Sequence, residues 1–192
     1  MIVLLKNKLK EKKGLNSIQL AIGVLILSFL YAGISDAVNV SNRMQSLSSA
    51  MTYISKVVSN QGCLTNNPES VYVSATGERL YNIDYIKNKK YVTASELYNA
   101  ILNIMTSDGI PTSDWKVTVG GVNLSPTMKT PLYDFRERIP VTIEINYSWD
   151  TLSSLLPISN NVLKGSFKTE QEIVSTYKIR DGSSDDGFIY GN

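Results

Sequence analysis

A single thiol and no histidine set the limits on what this 192-residue chain can do chemically. Cys63 has no second cysteine to pair with, so an intrachain disulfide is impossible. It is either a small loop residue with a partly buried thiol or half of an interchain bridge. Without histidine the commonest general base is missing. So are the Ser-His-Asp and Cys-His arrangements and most zinc sites. Glu170 and Glu172 share one face of a strand, as Arg136 and Arg138 share one face of their own segment, and both pairs read as exposed surface charge. Asp181, Asp185 and Asp186 lack the alternating ligands and terminal Glu of a calcium loop. Val119-Gly120-Gly121-Val122 is a turn with no helix start after it, and no GxxxxGK[ST] phosphate loop occurs anywhere. The expectation is therefore no enzyme, no metal and no cofactor. The chain instead offers two bonds as substrates for processing. One is Gly14–Leu15, behind a basic leader. The other follows Ala37, in a Ser35-x-Ala37 pattern of the small-x-small kind cut by signal peptidase.

Both bonds flank one element. The leader carries Lys6, Lys8, Lys10, Lys12 and Lys13 against Glu11. From Leu15 to Ser35 no residue is charged, and Asp36 ends the run. As a helix those residues extend roughly 31 Å, enough to cross a bilayer core. Asn16 and Gln19 sit near its start, and Gly23 and Gly33 are tolerated in membrane helices. Residues 1–14 hold five of the 19 Lys and Arg and one of the 17 Asp and Glu, which leaves 14 against 16 in the remainder. The basicity belongs to the leader. It argues for a cytoplasmic N-terminus, with the rest of the chain facing out, and against nucleic-acid binding.

The helical pattern continues past the apolar run. Val40, Met44, Leu47, Met51, Ile54 and Val58 recur at alternating spacings of four and three, an apolar stripe that needs a cover. Gly62 is the stop signal, so one helix is predicted from about 15 to 60, on the order of 65–70 Å long. Residues 63–71 read as a loop. Val71–Ser74 reads as a short strand with a turn at Thr76–Gly77. Thr93 to Met105 reads as a second helix, opened by a Thr93/Glu96 capping box and apolar at Leu97, Ile101, Ile104 and Met105. Then the period changes to two. Trp115, Val117 and Val119, Gly120-Gly121, and Val122 and Leu124 form a hairpin signature. Ile139 to Trp149 alternates cleanly, and Phe167 to Ile179 alternates with more polar members. Residues 150–165 are predicted to be a structured, partly buried loop, and 181–192 an acidic, mobile tail.

A basic leader ending in glycine (KEKKG, 10–14), a long apolar helix (LNSIQLAIGVLILSFLYAGI, 15–34) that turns amphipathic, and a C-terminal antiparallel sheet resemble type IV pilin-like proteins. The leader, together with IPVTIEINYSW, the loop TLSSLLP and the strand after Gly165, looks most like the TadE/TadF-type minor pilins (pseudopilins) of tight-adherence (Flp) systems. The resemblance implies cleavage after Gly14 by a prepilin peptidase, with Leu15 as the first mature residue. It also implies assembly with other pilin-like subunits on a platform. The family usually has Glu at the fifth mature position. Here it is Gln19, which accepts a hydrogen bond but offers no charge, a departure still compatible with a minor or initiating subunit.

The reading is thus an α+β fold. A long N-terminal helix, membrane-spanning and then amphipathic, packs on a C-terminal antiparallel β-sheet with one short extra helix. Its parts are a leader (1–14), a transmembrane half (15–37), an amphipathic half (38–62), an extracytoplasmic head (63–181) and a tail (182–192). Gly14 and Leu15 are the processing residues. Gln19, Leu20, Val24, Leu27 and Tyr31 are the assembly face, and the stripe from Val40 to Val58 is the head-packing face. The competing readings are a single-pass anchored binding domain that keeps its leader, and a soluble domain released after Ala37.

Overall fold

The computed structural model describes residues 2–68, 91–156 and 163–177, with side chains from Asn16 onward. The strand expected at 71–74, the turn at Thr76–Gly77 and the tail at 181–192 lie outside the described residues. Helix α1 (Ile2–Gln61) is followed by α2 (Ala94–Ser107), a short 3-10 turn (Thr112–Asp114), β1 (Trp115–Val119), β2 (Val122–Asn123), β3 (Arg138–Ser148), α3 (Asp150–Leu155) and β4 (Lys164–Val174). The chain divides into two compact units, residues 1–41 with 148–165 and residues 42–147 with 166–192.

In the larger unit an antiparallel sheet of order β2-β1-β3-β4 packs against α1 from Leu47 onward, with α2 completing the core. The α+β architecture follows directly from the two periods in the sequence. In β3, Ile139, Val141, Ile143 and Ile145 are all 0–1% exposed, and the residues between them are exposed or half-buried. The register sets Val117 opposite Ile143 and Val119 opposite Val141, so the apolar faces of β1 and β3 coincide. The β1–β2 turn has both central residues at positive φ, 58° at Gly120 and 80° at Gly121, which matches the twist of a two-residue hairpin. Helix α2 starts where its capping box predicts. Thr93 Oγ1 accepts from the Glu96 amide (3.2 Å), and the Glu96 carboxylate accepts from the Thr93 amide (2.8 Å). Its buried face is Ala94, Leu97, Ile101 and Met105.

Helix α1 ends at Gln61 because Gly62 turns left-handed (φ 67°) and its amide caps Val58. A Cβ there would stand 2.5 Å from the Tyr133 carbonyl oxygen. Gln61 ties the helix end to the next described segment: its amide group donates to the carbonyls of Cys63 and Val92 and accepts from the Val92 amide. Cys63 is 2% exposed, with its thiol against the Tyr91 hydroxyl.

Three expectations need correction. The helix begins at Ile2, not near Leu15, because Leu, Lys and Glu in the leader are good helix formers and no proline interrupts them. The segment after Asp150 is not loop throughout, since 150–155 forms α3. The apolar stripe also fails at its upper end. Leu47, Met51, Ile54 and Val58 are buried beside Ala50 and Val57, but Val40 is half-buried and Met44 is 53% exposed. Met44 lies instead on the lip of an open groove, opposite Phe167, Thr169 and Gln171. The polar members of β4 do not close over it.

Candidate membrane and assembly surface

The physical oddity of α1 is how little covers its apolar half. Ile18, Leu20, Ile22, Val24, Leu25, Ile26, Leu27, Leu30, Tyr31 and Ile34 are 52–74% exposed and point in all directions around the helix. The most apolar window has a mean hydropathy of 2.0, and only 6% of it is buried. A helix apolar all round and bare over most of its surface needs a non-aqueous cover. One helix near the N-terminus is thus long and apolar enough to span a membrane. The sequence-predicted assembly residues Gln19, Leu20, Val24, Leu27 and Tyr31 are all exposed on this stretch. Gly14 and Leu15 lie within the backbone of α1, and the Leu15 side chain lies outside the described residues.

Two charged residues on α1 carry structure that the sequence pattern did not reveal. Asp36 is the only acid between Glu11 and Glu69, and Arg43 the only base between Lys13 and Lys56. Both are buried, at 2% and 8%. The Asp36 carboxylate accepts from the amides of Thr151 (3.2 Å) and Leu152 (2.7 Å). Those are first-turn donors of α3, which no residue of that helix could satisfy. Arg43 forms an ion pair with Asp114 (3.0 Å) and donates to the Asn146 carbonyl. One turn on, the Ser46 hydroxyl is paired with Asp108 and the Asn42 carbonyl. Isolation in sequence was the available signal. A lone charge on an otherwise neutral helix is either exposed or matched, and these two are matched.

Beside α1, helix α3 lines a shallow apolar groove. Val24, Leu27, Ser28, Tyr31 and Ala32 form one wall, and Thr151, Ser154 and Leu155 the other. Among the described residues, no three of His, Cys, Asp and Glu gather closely enough to hold a metal ion. The distinctive chemistry of this region is apolar surface and internally satisfied polar groups. No family model matches the sequence, and no curated protein or solved structure is significantly similar to it.

Proposed function

We propose that this chain is a pilin-like structural subunit, a minor pilin or pseudopilin of a type IV or Tad-like pilus, secretion or conjugation apparatus. It is held in the membrane by the 15–35 run with its N-terminus cytoplasmic, and is cut after Gly14 by a prepilin peptidase. The observation that carries this reading is the division of labour along α1. From Ile18 to Ile34 it leaves most of its apolar side chains bare, while the stretch from Leu47 to Val58 is built into the core under an antiparallel sheet. One uncovered apolar surface serves both states such a subunit needs. It faces acyl chains in storage and neighbouring helices after assembly. Extraction from the bilayer is left to an external ATPase, since the chain has no phosphate loop. No catalytic role falls to the chain itself.

Release after Ala37 fits less well. It would remove Asp36 and with it the acceptor for two amides of α3. The test is the mature N-terminus, read by mass spectrometry from isolated membranes and shed material. A start at Leu15 is expected, and Gly14→Leu should abolish it. A start at Val38 makes this a soluble domain, and an intact Met1 makes it a plain anchor; either result overturns the proposal.

A further inference from the structure

Helix α3 lies along the stretch of α1 proposed to cross the bilayer, and its chemistry suits lipid rather than water. The stretch 151–163 contains no charged residue and is bracketed by Asp150 and Lys164. Both of its described serine hydroxyls bond to carbonyls within the helix. The Ser153 hydroxyl donates to the Asp150 carbonyl (3.0 Å) and the Ser154 hydroxyl to the Thr151 carbonyl (2.7 Å). The Trp149 amide donates to Leu163, and the Ser153 amide to Trp149. On the facing wall the Ser28 hydroxyl donates to the Val24 carbonyl (2.9 Å). The two first-turn amides that would otherwise be bare are taken by Asp36. Internal satisfaction of backbone and hydroxyl groups is what a hydrocarbon environment requires of a segment that does not itself span.

Depth points the same way. Leu155, 42% exposed, shares its groove with Val24, Leu27 and Ser28. Those residues lie about 12–18 Å along the helix axis from Asp36, counting about 1.5 Å per residue. With Asp36 at the outer boundary of a core about 30 Å thick, Leu155 stands well inside the hydrocarbon.

Resting on the reading that α1 spans the membrane, we propose that α3 is a second lipid-contacting element. It is a re-entrant turn, laid against the span in the outer leaflet, with Leu155 facing acyl chains. The occupant of the groove is lipid, and the chain so gains a membrane contact 115 residues beyond Asp36.

The experiment uses the full chain in phosphatidylcholine–phosphatidylglycerol vesicles. A cysteine-reactive environment-sensitive fluorophore is placed at Leu155→Cys, at Val24→Cys in the span, or at Lys116→Cys, an exposed position of β1. Native Cys63 is buried and gives little background. Quenching by nitroxides on the acyl chains is compared with quenching by aqueous iodide. The expected result is that the label at 155 follows the label at 24, several-fold more sensitive to the acyl nitroxide than the label at 116 and shielded from iodide. Iodide quenching at 155 equal to that at 116 overturns the re-entrant turn while leaving the span intact. Shielding at 155 from both quenchers means protein covers it, a second copy included, and also overturns the proposal. If the label at 24 itself escapes the acyl nitroxide, the span reading fails and this inference with it. Should Leu155→Cys fail to reconstitute, exposed Ser154→Cys reads the same turn.

Discussion

The ion pair between Arg43 and Asp114 gives the sharpest test of how the larger unit is held together. The Arg43 side chain is 10% exposed and that of Asp114 32%. Asp114→Ala removes one partner and leaves a nearly buried guanidinium with the Asn146 carbonyl as its remaining acceptor among those described above. Breaking a fully buried pair in this way costs about 3–5 kcal/mol. Water reaches Asp114, so the cost is discounted to about 2 kcal/mol, roughly a thirtyfold shift in the folding equilibrium. Arg43→Met fills similar space without charge. In the double variant the orphaned guanidinium is gone, so most of the loss is recovered and the cycle shows a coupling of about 1 kcal/mol or more. The assay is urea unfolding of the full chain in detergent, followed by tryptophan fluorescence, because Trp115 adjoins Asp114 in sequence and reports on the site. If Asp114→Ala shifts stability by less than about 0.5 kcal/mol, or the two substitutions simply add, the pair is solvated and the reasoning is wrong.

Three further outcomes are expected. Gly62→Ala forces a side chain into a left-handed backbone and against the Tyr133 carbonyl; it should cost at least about 1–2 kcal/mol from the backbone conformation alone, seen as a lower urea midpoint. Thr93→Ala removes the side-chain acceptor for the Glu96 amide while the residue-93 amide still reaches the Glu96 carboxylate; it should cost about 1 kcal/mol, with amide exchange faster in the first turn of α2. The Glu170 carboxylate beside Lys168, by hydrogen bond first and by charge second, holds the ammonium pKa above its usual 10.5. A raised folded value means the pair stabilises below the unfolded lysine value and loses that contribution as pH rises through the folded one. Lys168 is exposed, so the alkaline slope should be small and vanish in Lys168→Met, as measured by unfolding across pH 9–12, about the lysine range.

What the sequence revealed, it revealed through local chemistry. The capping box of α2 and the two-residue turn after β1 are written in residues within three positions of each other. The burial of Ile139 to Ile145 follows from strict alternation, because one face of the strand is wet. The misreadings share a different cause. Helix α3 depends on an acceptor 115 residues away, and Leu152, Leu155 and Leu156 alone carry no period that separates a short helix from a loop. Met44 fits a heptad drawn on apolar residues. At that height, however, the helix buries Arg43 and Ser46, whose partners Asp114 and Asp108 come from segments after α2. Of the candidate surface, its apolarity was plain in the uncharged run from Leu15 to Ser35. The role of Asp36 was not: in one dimension it only marks where that run stops.

The pinning of the end of α1 has a consequence in time. The Ser59 hydroxyl donates to the Val174 carbonyl, and the Ser59 carbonyl accepts from Thr176. The first of these contacts spans 115 residues. During synthesis at about 5–20 residues per second, the apolar stripe from Leu47 to Val58 therefore waits roughly 6–23 seconds before β4 exists to join the sheet that covers it. Until α2, β1 and β3 follow within that interval, the nascent chain carries two bare apolar surfaces in succession on one helix. The first can be taken up by lipid at once. The second is covered stepwise, by α2, β1 and β3 before Ile173 of β4 completes the core, so its most exposed period is the time before α2 is made.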